Sequence, residues 1–579
     1  MCGIAGICGE RLDGVRIGAM VERQRHRGPD GSGVYVAPSG MAALGHDRLS
    51  IIDVSSAGAQ PMSDSTGRYT IVFNGEIYNY IELRSELKDY PYTGHSDTEV
   101  ILAAYLAWGE RCLQRFLGMF AFAIWDEQER RLFTARDRFG VKPLYIHEQG
   151  TGLMLASEIK ALHTAGVPRE PDPATWATYL DRGLHEHATG TFWKGIRHLP
   201  AGSFLRWTPA TGATVHPWYD VAEAVQVQGV DGRDDAAVSE ELHALLCESL
   251  RLRFRSDVPV GICLSGGLDS SLLLGVYRAV FGADAPVETY TFYCSDERYD
   301  ETPYVHAMLE GSPQRGHFCL LTPGEIPLLA AEVQRSQDEP FGGFPTLGMA
   351  KVHACARSMN VVVLLDGNGL DEGWGGYDYY ARAGEQPAGA ITVQGLGTLQ
   401  RGSAWLDPAF VRLSAPPAFP VPFTDPLANA QYRDMRFTKL PRAMRFVDRV
   451  SMMRSREVRE PFIDHRIMEL GLRQPPSRKI RDGVHKWLPR QVAANLMPAS
   501  VRLAPKRPLQ TPQREWLRGP LQDWAGRTIE AGLTGFGGAW LDAGAVRSMW
   551  QAFVQGDDAW SFRMWQLVNL GLMSEEMDR

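Results

Sequence analysis

Val258-Pro259-Val260-Gly261-Ile262-Cys263-Leu264-Ser265-Gly266-Gly267-Leu268-Asp269-Ser270-Ser271 reads as an apolar strand running into a glycine-rich loop, and the apolar residues 272–281 continue as a helix. Strand, loop and helix N-terminus make a cradle for an anion. Backbone N–H groups and small hydroxyls point at a phosphate chain there, and Asp269 is placed to hold Mg2+. The loop lacks the GxxxxGK(S/T) spacing of a Walker A sequence. The competing reading is a Gly-Gly turn with a serine or aspartate capping the helix.

Outward from this loop, strand-like runs alternate with helical ones. Residues 288–293 read as a strand, 348–357 as a helix and 360–365 as another strand, which predicts a parallel sheet flanked by helices. The last run ends in Asp366-Gly367-Asn368-Gly369-Leu370-Asp371-Glu372-Gly373-Trp374-Gly375-Gly376-Tyr377. Open α/β sheets bind ligands at the carboxyl ends of their strands, so Asp371 offers a second magnesium carboxylate. Upstream, residues 238–254 carry apolar residues at helical spacing behind the polar segment 226–236. Before that come short β-rich runs, 69–73 and 120–125 among them, punctuated by glycine turns, the pattern of a sheet-rich layered domain. The division expected is a domain over 1–220, a linker over 221–236 and a second domain over 237–579. The Pro- and Gly-rich stretch 384–426 yields no assignment.

A chain of 579 residues is too long for one core, and 44% hydrophobic with 22% charged residues is the composition of a globular enzyme. A net charge of −8 without a basic stripe argues against a nucleic-acid partner. Eight cysteines without zinc spacing or a disulfide framework fit a reducing compartment. No targeting segment and no apolar run near the roughly 18 residues of a membrane span is present, so a cytoplasmic location is expected.

Met1-Cys2-Gly3-Ile4-Ala5-Gly6 opens the chain. Removal of Met1 puts thiol and base on one residue, because the freed α-amino group, of reference pKa about 7.7–8.0, can relay the thiol proton. Hydrolysis of a small amide through a thioester is the natural use; a cysteine of no special role is the alternative. In Phe73-Asn74-Gly75-Glu76-Ile77-Tyr78-Asn79 the Asn74 amide and Gly75 N–H suit an oxyanion, or the segment is a plain turn. In His95-Ser96-Asp97-Thr98-Glu99 the Asp97 carboxylate suits an α-ammonium, or caps the following helix. Arg48 suits a bidentate grip on an α-carboxylate, or a surface ion pair.

MCGIAG, Arg25-His26-Arg27-Gly28-Pro29-Asp30-Gly31, GHDRLSIID at 45–53, FNGEIYN at 73–79, SDTE at 96–99 and ARDRFGVKPLY at 135–145 occur in the order found in class II glutamine amidotransferases. The chain resembles the asparagine synthetase B type of that family over nearly its whole length, least across 381–430. SGGLDSS resembles the pyrophosphate loop of ATP pyrophosphatases, and residues 456–464 resemble the family's EARxPFLD segment. The resemblance implies an α+β N-terminal-nucleophile (αββα) glutaminase domain followed by an α/β ATP-pyrophosphatase (adenine nucleotide α hydrolase-like) domain. It implies a γ-glutamyl thioester on Cys2, an oxyanion hole of Asn74 and Gly75, and glutamine held by Arg48, Asn74, Glu76 and Asp97. It further implies ATP at Leu264, Ser265, Gly266, Gly267, Asp269, Ser270, Ser271, Asp366 and Gly367, with Mg2+ on Asp269 and Asp371. Lys486, in HKWLPR, looks like the family's lysine for the leaving pyrophosphate, an exposed helix lysine being the alternative. An acyl-adenylate, release of AMP and pyrophosphate, an ammonia passage between the sites and a homodimer are also implied. Residues 26–30 read as a structural turn.

One departure stands out. The family has Glu or Asp at the middle of its SG(E/D)GxDE segment, where this chain has Asn368, with Asp366 in place of Ser. Neutral Asn cannot act as a base at the acceptor site. Three consequences are open: a larger acceptor acid than aspartate, a nitrogen nucleophile less basic than ammonia that gives a hydroxamate, or a carboxylate supplied by Asp366 that preserves asparagine synthesis. An adenylating lactam or macrolactam cyclase is a further alternative, though intact Cys2, Asn74, Gly75 and Asp97 argue against a vestigial glutaminase.

Overall fold

The computed structural model describes residues 2–9, 14–385, 403–415, 417–505 and 511–577. Met1, and with it the question of its removal, and residues 386–402 and 416 of the unassigned stretch lie outside the described residues.

Two six-stranded antiparallel sheets occupy the first half of the chain. Strand Gly3–Cys8 lies inside the first, between Ala42–Arg48 and Gly152–Ala156; Tyr69–Ile77 and Gly118–Asp126 pair in the second. Period-two alternation sorts their side chains. Ile4, Leu44, Val72, Ala121, Ala123 and Trp125 fill the space between the sheets. Ile71 and Phe73 point the other way, onto Val100 and Ile101 of helix Asp97–Trp108, while Ala5 and Ile7 pack on Ile17 and Met20 of helix Gly14–Arg23. The result is a helix–sheet–sheet–helix stack, the αββα arrangement.

A five-stranded parallel sheet organises the second half, in the order Arg315–Leu321, Glu288–Cys294, Val260–Cys263, Val363–Leu365, Glu457–Arg459. Ile262, Val363 and Leu365 face helices Asp235–Arg253 and Leu268–Phe281; Cys263 and Leu364 face helix Phe344–Ser358. The fourth strand begins at Val363 rather than 360, because Asn360 turns left-handed (φ 57°) to close the preceding helix. The chain reverses its direction of sheet growth between Val260–Cys263 and Val363–Leu365, so the loops after these two strands open a crevice at a switch point.

Residues 221–236 are not a bare tether. Val221–Gln228 is a helix capped by the Asp220 side chain, and Val221, Ala222 and Val225 pack on Tyr432, Leu440 and Leu472. One hydrophobic cluster also crosses the junction of the halves, with Trp176, Tyr179 and Phe192 beside Phe341, Phe344 and Trp565. All eight cysteines are free, and among the described residues no helix is long and apolar enough to cross a membrane.

Candidate active site

Cys2 stands at the start of its strand, 8% exposed, and burial pushes its thiol up. Across the sandwich, Asn74 lies on the same face of its strand as Val72, and its Oδ1 accepts from the Cys2 nitrogen at 3.0 Å. That bond turns the other half of the amide outward: Nδ2 is buried with no partner among the described residues. A buried amide N–H left unpaired is costly, and an oxyanion would satisfy it. FNGE is strand, not turn. Gly75 pairs with Phe120 at φ 150°, and a Cβ there would meet the Met119 carbonyl oxygen at 2.1 Å.

The thiol of Cys2 points at the Leu49 carbonyl at 3.9 Å, so the Arg48–Leu49 segment runs beside it. Arg48 is no surface ion pair; its guanidinium donates to the carbonyls of Ser55, at 2.7 Å, and Asp53. Asp53 also accepts from the His95 N–H at 2.6 Å, which ties this loop to the SDTE segment. Ser96, not Asp97, caps the helix, and Asp97 Oδ2 instead accepts from the Ile77 N–H at 2.8 Å. Burial, with Glu457 nearby, pushes Asp97 up to about 7. Glu76 is also buried and raised; its partner is Arg459, from the second half of the chain, at 3.3 Å. Arg459 bonds Glu457 as well, at 2.5 Å. Glu76 and Glu457 thus share one guanidinium at the junction, with Asp97 close enough to feel both Glu457 and Arg459, a cluster of acidic groups that suits an α-ammonium.

The turn at 25–30 does more than shape the chain. Arg27 is fully buried; its Nε holds the Cys2 carbonyl at 3.0 Å while its two Nη atoms hold Asp448, on helix Lys439–Met452, at 2.8 and 3.0 Å. Glu158 completes the knot, bonded to Arg27, His26, Lys160 and Arg449.

In the second half, a cavity of about 320 Å³ lies over the carboxyl ends of the parallel strands. Leu264, Ser265, Gly266, Gly267, Asp269, Ser270, Asp366, Gly367, Asn368, Asp371 and Lys486 all line it. The loop is held ready: Ser265 N–H donates to Ser270 Oγ at 3.1 Å, and Gly266 takes φ 84° against the Glu301 carbonyl. Ser271 is a correction. One residue is about 100° of helix, so with Ser270 turned to the loop, Ser271 is fully buried and does not line the cavity. Lys486 is 5% exposed rather than on a helix surface; its Nζ lies 2.6 Å from both Asp269 oxygens and 2.5 Å from Asp371 Oδ1. Burial lowers its pKa, but the two aspartates outweigh that and leave it raised. Both carboxylates therefore converge on one cationic point, and two carboxylates are what Mg2+ takes when phosphates supply its other ligands. Among the described residues there is no richer metal cluster.

Asp366 is half-buried, and desolvation together with Asp269 pushes it up to about 6. Asn368 Nδ2 donates to Glu460 Oε1 at 3.4 Å. Glu460, Arg27, Asp448 and Arg459 were not read as site residues from the sequence. Glu460 and Arg459 lie inside the segment matched to EARxPFLD, and that position was the available signal.

Fold and sites define a two-part enzyme, an N-terminal-nucleophile amide hydrolase unit joined to a nucleotide-cradling α/β unit. The chain matches the glutamine amidotransferase domain model over residues 1–219 and the asparagine synthase model over 241–579. It is 31% identical to a Mycobacterium tuberculosis protein named putative asparagine synthetase (glutamine-hydrolyzing), covering 94% of this chain and 91% of that one. It is 28% identical to asparagine synthetase (glutamine-hydrolyzing) 1 of Bacillus subtilis, covering 88% and 86%. The chain belongs to the asparagine synthase family and is an amidotransferase ligase of the glutamine-hydrolysing asparagine synthetase type.

Proposed function

We propose that this enzyme hydrolyses glutamine at Cys2, adenylates an acceptor carboxylate in the cavity over the SGGLDSS loop, and joins the freed nitrogen to the acyl-adenylate with release of AMP. The observation that carries this reading is the convergence of that loop, Asp269, Asp371 and Lys486 on one cavity in the same chain as the Cys2–Asn74 pair. Residues 1–220 form the hydrolase unit and 237–579 the ligase unit, joined through 221–236.

The Cys2 thiol attacks the side-chain amide carbon and gives its proton to its own α-amino group, which passes it to the departing ammonia. Asn74 Nδ2 and the Gly75 N–H stabilise the oxyanion, each donor contributing about 2.7–4 kcal/mol. Water then releases glutamate from the thioester. Arg48 receives the glutamine carboxylate, and Asp97 with Glu76 receives the ammonium. In the cavity the acceptor carboxylate attacks the α-phosphorus of ATP, and the loop N–H groups, the helix N-terminus and Lys486 hold the leaving pyrophosphate. Asp269 and Asp371 would hold Mg2+, which supplies neutralising charge to the phosphates when bound.

Aspartate is the first acceptor to test. Asn368 supports a second reading, in which another carboxylic acid is converted to an amide or hydroxamate. Full-length enzyme with glutamine, Mg-ATP and aspartate, followed for glutamate, AMP, pyrophosphate and asparagine with a Cys2→Ala control, separates them. Asparagine in step with AMP is the expected result. Glutamate without AMP or asparagine refutes aspartate as the acceptor.

A further inference from the structure

Forming an amide from ammonia releases a proton, and some group beside the acyl carbon has to take it. Strands Val363–Leu365 and Glu457–Arg459 are parallel neighbours with Leu365 level with Arg459, so Asp366 and Glu460 leave the sheet side by side. The Asp366 N–H donates to the Arg459 carbonyl at 3.0 Å, and two residues on the Asn368 amide reaches Glu460 Oε1 at 3.4 Å. Glu460 is 3% exposed, and its Oε2 has no hydrogen-bond partner among the described residues. A buried carboxylate oxygen without a donor is expensive to keep unless it has work to do.

Its position says what that work is. Asn368 lines the nucleotide cavity, whereas Glu460 lines a second, small cavity at the junction of the halves. Tyr78, Met119 and Val141 wall that cavity from the hydrolase side, Arg253 and Ile463 from the ligase side. Glu460 therefore stands between the space facing the glutamine half and the space facing the acceptor. Burial and then Asp366 hold its carboxyl well above the usual range, against the opposing pull of Asn368, Lys142 and Arg253. The same geometry accounts for Asn368. A third carboxylate there would meet Glu460 and Asp366 at close range, whereas an amide can donate to its neighbour.

We propose that Glu460 is the general base of amide formation in this chain, its Oε2 taking a proton from the nitrogen nucleophile as that nitrogen attacks the acyl-adenylate. The C–N bond forms, the C–O bond to AMP breaks with its electron pair leaving on the AMP phosphate, and the proton passes to Glu460 and then to water. The proposal rests on the acyl-adenylate reading above. The carboxylate absent at 368 is delivered from the neighbouring strand.

The test uses the full chain and a panel of carboxylic acids headed by aspartate. Acid-dependent ATP–pyrophosphate exchange reports adenylation, and product formation is followed with ammonium chloride or with hydroxylamine, a weaker base whose protonated adduct loses its proton to water more readily. Glu460→Gln should lower amide formation from ammonium, relative to exchange, about 100-fold or more, while capture by hydroxylamine falls less than about tenfold. Adding Asn368→Glu to Glu460→Gln should restore at least about tenfold of the loss. Equal losses with both nucleophiles, or an amide-to-exchange ratio within about threefold of the parent, would overturn the role of Glu460 and leave the adenylate reading standing. Absence of exchange in the parent with every acid would overturn the adenylate reading, and this proposal with it.

Discussion

Replacing Arg27 with Met tests whether the buried ionic knot really holds the Cys2 end of the hydrolase unit to the ligase unit. The substitution keeps much of the volume and removes four hydrogen bonds: two to Asp448, one to Glu158 and one to the Cys2 carbonyl. Glu158 keeps His26, Lys160 and Arg449. Asp448 loses its two bonds to Arg27 and keeps the influence of Lys142 and Arg449. Stranding one partner of a buried pair costs about 3–5 kcal/mol, and the lost bond to the Cys2 carbonyl about 1 more. The destabilisation expected at neutral pH is therefore about 5 kcal/mol.

Its pH dependence has a definite sign. Burial acts to raise Asp448, but Arg27 wins and holds it below the usual carboxylate range, so in the parent the pair's stabilisation is present above the unfolded pKa of about 3.9 and is lost only as pH falls through the lower folded value. In Arg27→Met burial prevails and the folded pKa rises above the unfolded one, so acidification relieves the stranded charge. The deficit, from denaturation midpoints at matched slope, should be largest at about pH 8 and shrink by about half near pH 5. Arg27→Met with Asp448→Leu should recover most of it, since an apolar pair in place of a buried ion pair is often neutral. A deficit equal at both pH values, or a double variant no better than the single one, would refute the reasoning.

Other consequences are simpler. Asn74→Ala should cut glutamine hydrolysis about 100- to 1,000-fold in kcat while ammonium-driven product formation persists, as a coupled glutamate assay beside an amide assay would show. A Cβ on Gly376 would lie 1.8 Å from Asp371 Oδ1 and 2.3 Å from Lys486 Cε, so Gly376→Ala should abolish ATP–pyrophosphate exchange and spare glutaminase. With Asp97 raised to about 7, the carboxylate proposed to meet the glutamine ammonium is lost as pH falls. KM for glutamine should therefore climb below pH 7, and Asp97→Asn should raise KM and flatten that profile.

What the sequence made legible is whatever depends on near neighbours. Alternation at Ile71, Val72, Phe73 and Asn74 already implies that Asn74 shares a face with Val72, and the sheet sandwich only reveals that Cys2 lies opposite. The loop at 265–270 was readable because strand, glycines and helix are contiguous. Ser271 could have been set aside from helix phase alone, since adjacent helical residues diverge by about 100°. Glu76 with Arg459, Arg27 with Asp448 and Asn368 with Glu460 are another matter. Each joins residues on elements far apart in the chain, and no period of 2 or 3.6 encodes which strand end will meet which.

Charge content does not say where the charges lie. A content of 22% charged residues suggests an ordinary solvated surface, yet Arg27, Arg449, Arg459 and Arg563 are fully buried. Such residues avoid the interior unless partnered, so each buried arginine marks a place where distant segments must meet in one geometry. Arg27 and Arg459 fall where the hydrolase unit touches the ligase unit, each bonded to carboxylates there. An apolar junction could have held the halves together as firmly, but it would tolerate sliding by an ångström; paired charges at 2.8–3.3 Å do not. Register between Cys2, on one side, and Glu460, on the other, is what the proposed release of nitrogen at the first and its capture near the second require.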